Sequence, residues 1–320
     1  MSSAKAIQRE MAPQTSQRSI VKDISHRTTA AAYTIWLFTR SDLKTILVPT
    51  SIFGITNSLA LSAYGLNPET HSGGLALHRL PLVFFWIWIH LLSFNVNNQR
   101  SPASVAEDQL NKPWRPLPAG RISPSVARLL GVIVCPTTTA VSLAMGVGWR
   151  QSLLGVLLTV WYNRWGGSDV DPLLRNWITG LGYVCFTSGA LEVAAGQPLP
   201  LSEGRLAAWL AILLAVVTTT MHVQDLEDVE GDRLRDRRTA PIVLGDVGCR
   251  WSIAIPMLGW GVLCPWFWNT GLVATVASCA LAFTVAWRTL FIRNVDADRV
   301  TFWAWNAWMS SLYVLPFFQQ

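Results

Sequence analysis

Charge is scarce in this chain. Lys, Arg, Asp and Glu make up 14% of its 320 residues and apolar types 51%, whereas an ordinary soluble domain is roughly 25% charged. That shortage excludes a water-soluble globular fold and leaves lipid as the solvent. Cysteine is equally sparse: Cys135, Cys185, Cys249, Cys264 and Cys279 lie in or beside apolar runs, with no CxxC spacing and no His partner. A zinc module or disulfide framework is therefore excluded, and free buried thiols are expected. The first 28 residues lack the apolar core of a cleavable signal peptide. They are expected to remain as a disordered polar tail, residues 1–28, ahead of a single catalytic membrane domain, 29–320.

Long uncharged runs are abundant. A helix needs about 20 residues to cross the hydrocarbon core, and Thr45–Pro68, Leu80–Gln99, Leu129–Trp149, Leu206–Gln224 and Val300–Gln320 offer that length. Trp251–Trp287 is long enough for two spans, with a turn signal at Asn269-Thr270-Gly271 between them. Gln151–Asn163 and Asn176–Leu191 are shorter, and counting both gives about nine helices. The net charge of +6 is then topological rather than a sign of nucleic-acid binding. With the N-terminus cytosolic, 22 of the 25 Lys and Arg fall on the cytosolic side, and only Arg79, Arg150 and Arg205 fall opposite. No soluble domain fits between the spans, and no obligate protein partner is expected.

The two longest connections are alike: Arg100–Ile122 and Asp225–Gly248 each follow an apolar helix, open with polar and acidic residues, and continue into a basic segment. A two-fold internal repeat would put both on one side, facing each other across a single cavity. On a continuous helix Asp225, Asp228 and Asp232, spaced i, i+3 and i+7, project from one face. Three such carboxylates near bilayer depth need a cation, because each costs roughly 2.5–3.5 kcal/mol on insertion scales. Mg²⁺, which takes oxygen ligands and bridges carboxylates to phosphates, suits the position. The alternative is a solvated acidic turn neutralised by Arg233, Arg235, Arg237 and Arg238. The first connection adds Asn98 and Gln99 at a helix end, Glu107 and Asp108, and then Lys112 and Arg115, cations suited either to phosphate oxygens or to lipid headgroups.

These residues resemble the UbiA superfamily of membrane prenyltransferases. The resemblance lies in Trp114-Arg115-Pro116-Leu117-Pro118-Ala119-Gly120-Arg121-Ile122, in Asp225-x-x-Asp228-x-x-x-Asp232, in Arg238-Thr239-Ala240-Pro241, in Tyr162-x-Arg164 and in Asn176, and it extends from about residue 30 to the C-terminus. The first acidic motif departs from the family pattern: Pro102 and Ala106 stand where its two Asp belong, so Glu107 and Asp108 must substitute. That variant is similar to a fungal subgroup of membrane-bound sesquiterpene cyclases of fumagillin-type pathways.

The resemblance implies an all-α integral-membrane fold of about nine transmembrane helices around a central cavity opening near the cytosolic side, with the N-terminus cytosolic and the endoplasmic reticulum as the expected host membrane. It implies Mg²⁺ held by Glu107, Asp108, Asp225, Asp228 and Asp232, with Asn98 assisting catalysis. Lys112, Arg115, Tyr162, Arg164, Asn176 and Arg238 would bind the diphosphate. The expected reaction is ionisation of farnesyl diphosphate and cyclisation to a bergamotene-type hydrocarbon; the alternative is prenyl transfer to an aromatic or quinone-precursor acceptor. Trp86, Trp88, Trp177, Trp209, Trp303 and Trp305 are candidates for a cation-stabilising pocket, or else for interfacial belts and lipid-facing bulk. His90 and His222 read as buried histidines with satisfied ring nitrogens.

Overall fold

The computed structural model describes residues 22–66 and 77–320, and every named element in it is helical. In chain order, α1 covers residues 22–39. A 3₁₀ turn and a π-helical segment (Arg40–Asp42, Leu43–Leu47) lead into α2, Val48–Leu59. Then come α3 (Leu80–Gln99), α4 (Pro102–Asn111), α5 (Pro124–Met145), α6 (Trp149–Arg164), α7 (Pro172–Ala195) and α8 (Gly204–Thr220). A 3₁₀ turn, Met221–Leu226, joins α8 to α9 (Val229–Leu234), followed by α10 (Ala240–Trp268), α11 (Leu272–Phe291) and α12 (Val295–Tyr313).

The helix starts are written locally. Ser101, Ser123 and Asp171 are N-caps whose side chains accept from backbone N–H groups of the first turn, and each is followed by proline, whose fixed φ suits the first helical position. Asn294 caps α12 by accepting from Ala297 N at 2.8 Å. The turn expected at 269–271 forms: Asn269 ends α10 in the left-handed region, φ 49°, and α11 starts at Leu272. Within α10, Gly245 is non-helical at φ 72° and ψ 167°, so the first turn is set off from the long apolar remainder.

Each expected span falls on helical structure, and the end of Thr45–Pro68 lies outside the described residues. Among the described residues, six helices are long and apolar enough to cross a membrane: α3, α5, α7, α8 with its 3₁₀ extension, α10 and α11. Among the others, α2 has only 12 residues and α6 only 16, while α12 carries Asp296, Asp298 and Arg299 in its first turns. Residues 22–28, expected in the disordered tail, are the start of α1. There the Asp23–Arg27 pair at 3.1 Å and the Thr28 hydroxyl donating to Ile24 O satisfy polar groups within the helix. Residues 1–21 lie outside the described part.

α7 is the central post, packed by α2, α3, α6 and α8. Gly54 on α2 lies so close that a Cβ there would meet Ala190 O at 2.8 Å, and Gly189 receives the Trp86 ring of α3. The outer faces are apolar and exposed, as at Val132, Ile255 and Val273, which is the pattern of a lipid-facing surface. All five cysteines are free; Cys185, Cys249 and Cys264 are buried as expected, while Cys135 and Cys279 are half-buried.

Buried charge fixes the far side of the bundle. Arg250 on α10 donates to both oxygens of Asp298 on α12 at 2.8 Å each and to Thr289 O on α11 at 2.9 Å. Replacing Arg250 by Met strands a buried carboxylate, and removing one partner of such a pair costs about 3–5 kcal/mol. Arg250→Met is expected to lower the thermal midpoint in detergent, and Arg250→Met/Asp298→Leu to recover most of the loss. A single variant as stable as the parent would contradict this role.

Candidate functional site

The two acidic connections meet, as the repeat argument requires. α4 and α9 lie side by side because Gly231 has no Cβ: one there would sit 2.3 Å from Asn111 Nδ2. Ion pairs then lock the connections together. Lys112 Nζ lies 3.0 Å from Asp228 Oδ2. Glu107 receives Arg235 at 3.1 Å and Arg237 at 3.2 Å. Arg237 also reaches Asp232 at 2.8 Å and Asp169 at 3.0 Å.

The acidic triplet does not occupy one face of a continuous helix. Asp225 belongs to the 3₁₀ turn after α8, Asp228 stands at the N-cap of α9, and Asp232 lies within α9. The break at 227–228 has a physical reason: each carboxylate is drawn to a different cation. Asp225 accepts from Arg175 at 2.9 Å, Asp228 from Lys112 and Asp232 from Arg237. Arg175 also donates to the Tyr162 hydroxyl, so a chain of hydrogen bonds runs from Tyr162 through Arg175 to Asp225.

Behind this charged layer lies a cavity of about 1250 Å³. Asn98, Lys112, Arg115, Tyr162 and Asp228 line it, and Asn98 is held by a 3.0 Å hydrogen bond to Asn163 Oδ1. Arg40, Lys44, Arg233 and Arg299 also line it, with Asp42, Glu227 and Glu230 as their acidic counterparts, and Trp86, Leu91, Phe94, Tyr183 and Phe186 line its apolar part.

The other expected residues are placed differently. Glu107, Asp108, Asp225 and Asp232 are buried behind the wall, and Arg115 donates to Asp108 at 2.7 Å. Asn176 is buried between Thr218 O and His222 Nδ1. The side chains of Arg164 and Arg238 are exposed and off the cavity; the inward arginines of that segment are Arg235 and Arg237. Of the six tryptophans singled out, only Trp86 lines the cavity, joined by Trp114. Trp209 and Trp305 are core, while Trp177 and Trp303 are substantially exposed. His222 is held between Asn176 and Ser252, and His90 between Trp86 O and Ser152.

Arg175 and Asp169 were not legible as site residues. Arg175 looked like a loop cation at a helix start, and nothing local marks Asp169 as the acceptor for two arginines some 66–68 residues away. The basic residues Arg40 and Lys44 likewise read only as positive-inside charge.

The UbiA prenyltransferase family profile matches residues 47–312. The chain belongs to that family. Its relatives include the fumagillin beta-trans-bergamotene synthase of Aspergillus fumigatus, 27% identical over 89% of this chain and 92% of that protein. Somaliensene A/B synthase of Streptomyces somaliensis is 30% identical over 88% of this chain and 92% of its own length. The structure of a UbiA homologue from Archaeoglobus fulgidus bound to GPP and Mg²⁺ superposes with a TM-score of 0.58 at 15% identity, covering 86% of this chain and 97% of that one. The UbiA-type fold and the six long apolar helices make this a multi-pass membrane protein.

Among the described residues, no three His, Cys, Asp or Glu side chains converge into a ready-made metal site, because arginines and Lys112 hold the carboxylates apart. The donor set nevertheless fits a hard divalent cation. Asp225 Oδ2 and Asp232 Oδ2 are both buried without any hydrogen-bond partner, and unpaired carboxylate oxygens are what such an ion takes.

The electrostatics differ along the triplet. Burial raises the Asp228 carboxyl, but the Lys112 ammonium outweighs it and holds Asp228 below the usual range. For Asp232 burial wins, reinforced by the Asp225 charge and opposed by Arg175, and the carboxyl is raised to about 6. A group that keeps its proton to higher pH in the fold than in the unfolded chain contributes stability at low pH, lost as pH rises. Between the ordinary value of 3.8 and about 6, the thermal midpoint of the parent is therefore expected to fall relative to that of Asp232→Asn. Parallel pH profiles for the two proteins would rule out the raised carboxyl.

Proposed function

We propose that this protein is a Mg²⁺-dependent membrane terpene cyclase that ionises farnesyl diphosphate and closes the chain to a bergamotene-type sesquiterpene hydrocarbon. The observation that carries this reading is the single cavity joining a cationic mouth at Lys112 and Arg115 to an aromatic, apolar interior at Trp86, Phe94 and Tyr183. A prenyl diphosphate has the same division into a charged head and a hydrocarbon tail. The near-full-length similarity to two terpene synthases supports cyclisation over transfer.

Lys112 and Arg115 bind the diphosphate oxygens, Lys112 turning from Asp228 toward the substrate, and Asn98 orients the head group from the end of α3. Asp225, Asp228 and Asp232, with Glu107 and Asp108, would hold Mg²⁺, which would supply charge neutralisation for the leaving diphosphate. The C1–O bond breaks with its electron pair going to the diphosphate, leaving an allylic cation in the cavity. The rings of Tyr162 and Phe94, packed at 5.6 Å between centroids, present π faces that stabilise the positive charge. The apolar walls exclude water, so a double bond of the same chain traps the cation before water does. A proton then passes from carbon to the released diphosphate, giving the neutral hydrocarbon. In the membrane, the Lys- and Arg-rich side carrying both acidic connections and the N-terminus faces the cytosol, with the endoplasmic reticulum as the proposed location.

Microsomes carrying the protein, given farnesyl diphosphate without an acceptor, are expected to release a sesquiterpene hydrocarbon detectable by gas chromatography–mass spectrometry. EDTA should abolish it, and Asp228→Ala should reduce it at least about 100-fold, the scale of losing one transition-state electrostatic contact. No hydrocarbon without an acceptor, but prenylated product with an aromatic one, would replace the cyclase by an acceptor-dependent prenyltransferase.

A further inference from the structure

The closed end of the cavity contains a polar group that the proposed chemistry does not use. Gln151, near the start of α6, lines the cavity and is only 4% exposed, and both its Nε2 and its Oε1 lack any hydrogen-bond partner. Tyr162, beside the charged layer, is eleven residues further along the same helix, about 16 Å along the axis. Gln151 therefore sits at the level reached by the tail of a prenyl chain whose head lies at Lys112 and Arg115.

Gln151 also lines a second pocket. This pocket, of about 310 Å³, is a groove between α6, α7 and α8 on the outer face of the bundle, where Leu154 and Ala211 are exposed, and it is walled mainly by apolar side chains, among them Leu154, Val184, Leu210 and Leu214. Gln151 and Cys185 are shared by both pockets, so these two side chains form the partition between them. Beyond the partition there is apolar space of several times the roughly 30 Å³ that a liquid water occupies, ample for a five-carbon unit.

We infer that Gln151 is the chain-length gauge of this enzyme, closing the cavity at the end of a fifteen-carbon tail and keeping a twenty-carbon tail out of the second pocket. The inference rests on the prenyl-diphosphate reading above. Gln151 acts in two ways. Its side chain fills the passage, and hydrocarbon pressed against its unpaired amide leaves Nε2 and Oε1 enclosed by apolar groups, which is unfavourable. A tail that stops short does not reach the amide; a tail five carbons longer does.

The test compares diphosphate release from farnesyl and geranylgeranyl diphosphate by the full-length protein in microsomes. Gln151→Ala is expected to raise the ratio of kcat/KM for the twenty-carbon over the fifteen-carbon substrate about tenfold or more, the scale of a changed hydrophobic subsite. Cys185→Ala, which trims the same partition from α7, should shift the ratio in the same direction. Adding Ala211→Phe, which fills the second pocket from α8, should cancel the gain of Gln151→Ala. An unchanged ratio in Gln151→Ala, or a gain that survives Ala211→Phe, overturns the gauge while leaving the functional reading intact. Failure of the parent to release diphosphate from either substrate overturns the functional reading and the gauge with it.

Discussion

Charge cannot be left alone in a protein dissolved in lipid. An isolated carboxylate at bilayer depth is expensive, and this chain brings its acidic motif to the edge of that zone. The cost is met by dense pairing: Asp225 with Arg175, Asp228 with Lys112, Asp232 and Glu107 with Arg237, Asp108 with Arg115. From this follow the break after α8, the contact of α4 with α9, and the layer that covers the cavity. The same pairing explains why the carboxylates do not form a preassembled metal cage. Arg175 and Arg237 each hold one oxygen of Asp225 and Asp232, and the second oxygen of each carboxylate is buried without a partner.

The cavity is a by-product of how α7 is surrounded. Small residues let α2 and α3 close on it from one side, Gly54 meeting Ala190 and Gly189 receiving Trp86. Toward α6 the facing residues, Tyr162, Ile178 and Cys185, leave an apolar hollow instead. One helix is thus both the core of the bundle and a wall of the reaction chamber, and chemistry and packing cannot be varied independently along it.

Most of the architecture was legible because lipid imposes simple rules. Uncharged runs marked the helices, and the Asn269 turn divided the longest run. The acidic connections, with Lys112 and Arg115, stood out as a candidate site beside the readings of a solvated acidic turn and of headgroup contact, and the structure brings the two connections together. What stayed hidden depends on long-range partnership. Arg237 and Arg238 are adjacent and chemically identical, yet only Arg237 turns inward, because the backbone N–H of Arg238 is tied to Asp169 O and its side chain is left outside. The continuous-helix reading of the acidic triplet failed for a related reason: periodicity assumes a regular backbone, whereas three carboxylates seeking three separate cations favour an interrupted one. Tryptophan was uninformative for position, since its size suits core, interface and cavity alike.

The cross-pairing of Glu107 with Arg235 and Arg237 also bears on descent. One member of each pair is encoded in the first half of the chain and the other in the second, so the two halves are tied as inherited partners. A gene recombined between the two connections would join an acidic segment from one lineage to a basic segment from another. Unless both lineages kept the same pairing, the offspring would carry a mismatched covering layer over an otherwise intact bundle.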